Sequence, residues 1–449
     1  MLNEPASSPD NRPVLNTAVA APVISNKRND EIRAVVETVL RIDQETFYAE
    51  NSPPDFNIMI ISPDSRPVAT FSGQLLLDSE AAYEQLDTLC APLDLLPAFR
   101  EGSADMPHVV HVLRGRPNPQ PRGRMLNLVL FTLTVFTVLL VGTGIALSEI
   151  SAVEDPTTLS QTDQNSLANL EQCLQSGSVG EVCFFPELWR GIPYAFSLLL
   201  ILGAHELGHY FLARRHKLAV TLPYFIPFPG GFFGTMGAFI QLRQPMRNRK
   251  VLLDVGAAGP LIGLIFAIPI LILGIATSPV KEVVAGGLTE GNSFLYALLK
   301  IIIKGQFYPS GGMDMYMNQF ATAGWTGLFV TALNLIPVGQ LDGGHTLYSL
   351  IGRRARRLYY PLLVVMVGLC FLSEVWILWV ILLFLFGRVH AIPLDDLTPL
   401  DPRRRWLALL ALFVFAMIFV PVPFTPSDSY TSNVMLPALM SMLWLRRNR

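Results

Sequence analysis

The sequence predicts an α-helical polytopic membrane protein with about six or more transmembrane segments, preceded by a small N-terminal soluble α+β domain. Three observations predict it. Of the 449 residues, 51% are hydrophobic and only 15% charged, and the mean hydropathy is +0.42, well to the apolar side of ordinary soluble chains. Apolar runs recur after residue 125, at 126–147, 191–213, 251–275, 321–337, 359–386 and 406–422. At about 1.5 Å per residue, the longer ones cross a hydrocarbon core roughly 30 Å thick. Residues 30–113 lack such a run and mix helical with strand-like patterns instead. The net charge of −2, with no basic stripe outside the segments flanking apolar runs, argues against a nucleic-acid partner.

Residues 1–28 are polar and rich in Ala, Ser, Pro and Asn, and lack the basic flank and short apolar core of a cleavable signal. A disordered tail is expected there. The soluble domain is expected over 29–113. It has helical patterns at Glu31–Ile42 and Ser79–Leu89, and strand-like runs at Phe56–Ile61, Pro67–Phe71 and His108–Leu113. It carries no catalytic constellation of its own, which suits binding of a partner, a regulator or a substrate tail. A basic linker with Pro and Gly, 114–125, leads to the membrane domain, 126–425. In the final tail, 426–449, the apolar stretch 434–445 is short for a crossing and could lie in the interface.

Loop charges orient the chain. Residues 149–190 hold seven acids and one base, whereas 211–250 hold seven bases and no acid. The positive-inside rule therefore makes the second loop cytoplasmic and the first external. A multi-pass integral membrane protein follows, with its N-terminal domain on the cytoplasmic, or stromal-equivalent, side. Arg353, Arg354, Arg356 and Arg357 fit the same alternation. Ser373-Glu374 divides the fifth run into halves of roughly 13 residues, each short for a crossing, so a single tilted helix and a hairpin both remain open. The four cysteines are too scattered for a disulfide scaffold or a Cys-ligated metal. Cys173 and Cys183, on the external side, either pair or stay as thiols.

The second run contains His205-Glu206-Leu207-Gly208-His209, a match to H-E-x-x-H. On a helix, residues i and i+4 are about 40° apart in rotation and about 6 Å apart in rise, so both imidazoles can reach one tetrahedral Zn2+. Zinc lowers the pKa of its bound water towards about 7, and Glu206 can take that proton and later pass one to a leaving amine. The bland alternative is a pair of satisfied helix histidines. Three ionisable residues in five positions of a membrane helix are costly, however, and mark a functional site.

A catalytic zinc needs a third protein ligand and an open position. Asp342 is the candidate, in Asn334-Leu-Ile-Pro-Val-Gly-Gln-Leu-Asp-Gly-Gly-His345, where Pro337 and Gly343-Gly344 can interrupt the fourth helix. His205 lies nine residues from Arg214 and Asp342 eleven from Arg353, which puts both on the order of 15 Å below one membrane face. A shared metal requires that equal depth. His345 reads as a supporting or structural residue, and His216 and His390 as having no chemical role.

The H-E-x-x-H of one span and the Asn-x-x-Pro…Leu-Asp-Gly of a later one resemble the site-2 protease family of intramembrane zinc metalloproteases, over roughly residues 120–425. Gly234–Phe239 and Asp254–Pro260 look like its intervening motifs. The soluble front domain and the ending near Val420–Pro423 are similar to its cyanobacterial and chloroplast branch. The resemblance implies that His205, His209 and Asp342 bind Zn2+, that Glu206 is the general acid/base, and that Asn334 donates to the oxyanion or holds the substrate strand. For Asn334 the alternative is a helix-bridging role at the Pro337 break. The implied activity is hydrolysis within transmembrane segments of membrane-protein substrates, with the lipid bilayer as the other partner.

Residues 218–242 are apolar but broken by prolines and glycines, which suits either an edge strand that holds an unwound substrate or an interfacial cap. Gly256, Ala257, Ala258, Gly259 and Gly263 read as close helix packing. Two other functions compete: an ion- or proton-coupled transporter built on the intramembrane His, Glu and Asp, and a catalytically inactive membrane-binding relative. No internal repeat between 126–260 and 321–422 supports the first, and the retained Glu206 disfavours the second.

Overall fold

A computed structural model of the chain describes residues 26–49, 66–119, 123–153, 155–175, 183–283, 288–387 and 392–426. They form two compact units that divide after residue 115.

The first unit runs α1 (Asn26–Glu37), β1 (Leu40–Phe47), β2 (Arg66–Leu75), α2 (Ser79–Cys90), β3 (Leu95–Glu101) and β4 (His108–Arg114). Its four strands pair antiparallel in the order β1-β2-β4-β3. Strand β2 alternates buried with exposed positions, as a strand with one covered face should. Phe71, Tyr83, Leu86, Phe99 and Val110 are buried in its core, where the Tyr83 and Phe99 rings meet edge to face at 5.3 Å. The helical pattern expected through Ile42 stops at Glu37, and Leu40–Ile42 belong to a strand. Strand β3 had no alternation to reveal it, because six of its seven residues are buried. It tolerates Pro97 because it lies at the sheet edge. The strand expected at Phe56–Ile61 falls outside the described residues.

The second unit is helical. Its first elements are α3 (Met125–Ser151), α4 (Gln161–Gln175), α5 (Ile192–Arg215), the hairpin strands β5 (Tyr224–Pro227) and β6 (Thr235–Phe239), and α6 (Arg249–Thr277). There follow β7 (Val280–Glu282), β8 (Leu288–Glu290), α7 (Phe294–Lys304), β9 (Met313–Met315), α8 (Gln319–Asn334), α9 (Asp342–Ile351), α10 (Ala355–Leu369), α11 (Val375–Phe386), α12 (Pro402–Ile418) and β10 (Phe424–Pro426). Among the described residues three helical stretches are long and apolar enough to cross a membrane: Met125–Ser151, Phe185–Arg215 and Arg249–Thr277. The other apolar runs form shorter helices. The fourth breaks between α8 and α9. The fifth folds back on itself, and the Tyr359 hydroxyl on α10 donates to the Leu383 carbonyl on α11. Cys173 and Cys183 form a disulfide.

Lipid is the expected neighbour of this unit, since large apolar side chains such as Phe196, Ile265, Val364 and Phe413 point outward and are more than half exposed. Threonine hydroxyls inside α3 are satisfied locally. The Thr134 and Thr143 hydroxyls on α3 donate to the carbonyls one turn back, Leu130 and Leu139, each at 2.8 Å. At the core, Leu253, Leu264 and Leu271 of α6 pack with Ile201 of α5 and with Trp325, Leu328 and Phe329 of α8. This places α6 beside both helices that carry the site motifs.

Two carboxylates, Asp254 half-buried and Asp396 buried, tie the helix ends on the Arg-rich side. Asp254 of α6 pairs with His216, just after α5, at 3.0 Å and with Arg404 of α12 at 2.6 Å. His216 thus has a structural partner, and His390 falls outside the described residues. Asp396 takes Arg249 at 2.9 Å, Arg353 at 3.4 Å and the Tyr348 hydroxyl of α9 at 3.0 Å.

Candidate metal centre

Helix α5 supplies His205, Glu206 and His209, which are only 3, 5 and 6% exposed. Asp342 comes from α9, and the chain turns sharply to deliver it. Helix α8 ends at Asn334, residues 335–341 make an irregular connection through Pro337, and α9 restarts at Asp342. The restart depends on Gly343, where a Cβ would lie 1.9 Å from the Leu335 carbonyl oxygen. Asp342 Oδ2 thereby comes within 3.3 Å of His205 Nε2 and 3.2 Å of His209 Nε2. The three ligand atoms all lie within 4.8 Å of one another.

The donor set fits zinc. Two imidazole nitrogens and one carboxylate oxygen form a three-ligand set that leaves a position open, and a tetrahedron with bonds of about 2.0–2.2 Å has edges of about 3.3–3.6 Å. The histidine-to-Asp342 separations match those edges. The tautomer also fits. His209 Nδ1 lies 2.7 Å from the Val255 carbonyl oxygen; a carbonyl can only accept, so Nδ1 carries the proton and Nε2 offers its lone pair to the shared centre.

Helix α6 makes room for these rings. A Cβ on Gly259 would lie 2.1 Å from His209 Nε2, one on Gly263 3.2 Å from His205 Cβ, and one on Gly256 2.9 Å from His345 Cβ. The small residues of α6 are packing residues, as the sequence suggested, but what packs on them is the imidazoles. That role could not be read without knowing which helix faces α5.

Asn334 lies at the C-terminal end of α8, its amide nitrogen 3.3 Å from His205 Nε2. The Glu206 carboxylate accepts a hydrogen bond from the backbone N–H of Ile240, just past β6. Val255 and Ile240 act through main-chain atoms, which residue type does not advertise. All five expected site residues line one cavity of about 600 Å³, together with Phe239, Ile240, Met246, Gln340 and His345. One wall is the end of the β5–β6 hairpin, which formed in the Pro- and Gly-rich segment. Asn127 of α3 donates to the Leu222 and Pro223 carbonyls at 2.9 and 3.0 Å, and Thr137 to the Gly234 carbonyl at 2.6 Å, holding both ends of the hairpin.

Residues 193–374 match the profile of peptidase family M50. They take in α5 to α10 and with them every residue of the centre. Over those residues the chain is similar to peptidase family M50. Among its curated relatives are the "Probable zinc metalloprotease EGY2, chloroplastic" of Arabidopsis thaliana, 31% identical over 54% of this chain and 43% of that protein, and its namesake from Oryza sativa subsp. indica, 29% identical over 60% and 54%. Another is the "Probable zinc metalloprotease EGY1, chloroplastic" of Arabidopsis thaliana, 28% identical over 66% of this chain and 53% of that one. The chain spans about half the length of these relatives, and no solved structure matches it. Nothing among these matches supports a transporter.

Proposed function

We propose that the chain is an integral-membrane zinc metalloprotease that hydrolyses peptide bonds in transmembrane segments of membrane-protein substrates. The observation that carries this reading is the convergence of His205, His209 and Asp342 within 4.8 Å, inside a helical unit whose outer surface is apolar. These three side chains would hold the zinc, which when bound supplies Lewis acidity and an activated water. Glu206, buried beside them and held by the Ile240 N–H, takes the proton of the attacking water and returns one to the leaving amine. Asn334, whose amide nitrogen lies 3.3 Å from His205 Nε2, would donate to the substrate oxygen or hold the substrate strand, the His205 lone pair being given to the metal. The hairpin end that walls the cavity suits an extended substrate strand, since cleavage needs a backbone freed from helical hydrogen bonds.

The remaining apolar helices are proposed to complete about six or more membrane passages around the three long ones, over residues 126–425. The loop charges support an N-terminal domain, 29–113, on the cytoplasmic or stromal-equivalent side, reached through the 114–125 linker, with tails at 1–28 and 426–449.

The test is metal content. Purified in detergent, the chain is expected to hold one zinc per molecule and to cleave a reporter membrane helix. Asp342→Ala is expected to bind zinc at least about 10–100-fold more weakly, since even supporting groups around a metal are worth that much, and to lose cleavage. A native chain without zinc, or an Asp342→Ala chain that binds it equally well, would show the cluster to be a buried His–Asp ion pair and overturn the proposal.

A further inference from the structure

We infer that a second cavity, set further along α8 from the metal centre, is a specificity pocket that takes an apolar side chain of the substrate about four residues from the scissile bond; the inference rests on the proteolytic reading above. The cavity measures about 400 Å³, within the range of about 300–1,000 Å³ usual for ligand clefts. Helix α8 lines both cavities, the first with Asn334 and the second with Thr322 and Trp325. Nine residues separate Trp325 from Asn334, or about 13–14 Å at 1.5 Å per residue. An extended chain rises about 3.3 Å per residue, so about four residues of unwound substrate bridge that distance.

The chemistry of the cavity selects an apolar occupant. Phe232 and Phe233, from the turn between β5 and β6, meet Trp325 and Phe424 there: the Phe232 and Phe424 rings stack at 5.5 Å, and Trp325 lies 5.4 Å from Phe424 and 6.3 Å from Phe233. The indole is fixed in place because Trp325 Nε1 donates to the Gly291 carbonyl at 2.9 Å. The charged groups around the rings are engaged within the protein. Glu290 pairs with the buried Lys300 at 2.9 Å, Asp314 accepts from the Met315 N–H at 2.7 Å, and Lys281 donates to the Ala152 carbonyl at 2.5 Å. Glu282 is exposed. What remains for a ligand is ring and aliphatic surface, which suits a side chain such as Leu or Phe and disfavours an ion.

Continuity with the metal centre makes the substrate that occupant. The β5–β6 hairpin walls both cavities, with Phe239 and Ile240 at the first and Phe232 and Phe233 at the second. Between them the hairpin presents an apolar ridge, since Phe232, Met236 and Phe239 are 70, 57 and 49% exposed. Among the described residues β6 pairs only with β5, which leaves its other edge open to a further strand. A substrate strand that follows this edge from the metal centre passes over the ridge and arrives at the second cavity. Helix α8 runs from the second cavity to the centre, and α9 continues from there to the Arg353 cluster. The side chain held in the pocket therefore lies on the side of the scissile bond away from the Arg-rich face.

The experiment measures kcat and KM of the native full-length chain in detergent on reporter membrane helices. Each reporter carries a single Leu or Ala at one of the positions three to five residues from the scissile bond, on the side away from the Arg-rich face. Both residues are strong helix formers, so the comparison reads side-chain size and not ease of unwinding. The expected result is a kcat/KM about 10–50-fold higher for Leu than for Ala at one of these positions, the gain from burying the larger side chain, and carried mainly by KM. Thr322→Phe, which fills the cavity from α8, should retain zinc and cut that preference to about threefold or less. Phe232→Ala, at an exposed ring, is the second variant and should also weaken the preference. Equal rates on the Leu and Ala reporters at all three positions would assign the cavity to lipid or to the chain's own tail and overturn the inference. So would a Leu preference that stays at its native size in a zinc-loaded Thr322→Phe chain, or in Phe232→Ala should Thr322→Phe lose its zinc. A native chain that holds zinc yet cleaves none of the reporters would instead overturn the proteolytic reading, and this pocket with it.

Discussion

Gly259→Ala is expected to abolish cleavage by depriving the chain of its zinc, although the residue offers no functional group. A Cβ at this position would lie 2.1 Å from His209 Nε2, 2.4 Å from Cδ2 and 2.6 Å from Cε1. The ring would have to retreat by roughly 1.3 Å to reach ordinary contact, which begins at 3.4 Å. It has little freedom to do so. Its far nitrogen is fixed by the Val255 carbonyl at 2.7 Å, and that carbonyl belongs to the same helix as Gly259. Moving the ring away from Gly259 therefore strains the bond that sets its tautomer. Misplacing a reacting group by about 1 Å can cost 10²-fold in rate, and here the displaced atom is the proposed ligand itself. Helix α6 could shift instead, but it packs closely on both α5 and α8, and overpacking of that kind costs roughly 1–3 kcal/mol. The measurement is zinc per chain and cleavage rate, with thermal unfolding in detergent as the control for folding. Gly203→Ala on α5 is the matched comparison, because a Cβ there meets nothing within 4 Å; it should be neutral. Native zinc content and rate in Gly259→Ala would show that α6 does not shape the centre.

That prediction depends on what the sequence could not disclose. His205, Glu206 and His209 were legible because helical periodicity alone brings i and i+4 to one face, and because three ionisable groups in an apolar run demand a reason. Asp342 was legible from its depth below an Arg-rich face and from the Pro and Gly that break its helix. Long apolar runs likewise identified α3, α5 and α6. Contacts between elements were hidden. The sequence marks Gly256, Gly259 and Gly263 as small, but only the packing of α6 against α5 and α9 makes them neighbours of three imidazoles. Val255 and Ile240 contribute through backbone atoms that any residue possesses. In the first unit, β3 escaped notice for a related reason: a strand buried along nearly its whole length has no alternation, and its burial is a tertiary fact.

Glu206→Gln is expected to separate metal binding from chemistry. Glutamine has nearly the same volume as glutamate and keeps a carbonyl oxygen to accept from the Ile240 N–H, so the packing around this buried side chain should survive. His205, His209 and Asp342 are untouched, and zinc should remain at one per chain. What is lost is a group that can accept and return a proton. General acid–base catalysis typically contributes about 10²–10⁴-fold, and the loss should lie at or beyond the upper end of that range because one carboxylate serves both half-steps. Substrate should still bind, since the cavity and the hairpin wall are unchanged. The variant is therefore expected to retain an uncut reporter helix in pull-down while its cleavage falls towards background. Glu206→Asp, whose carboxylate is drawn back by one methylene, should fall between the two. Cleavage by Glu206→Gln at the native rate would remove Glu206 from the chemistry, and loss of zinc in the same variant would show its charge to be part of the metal site.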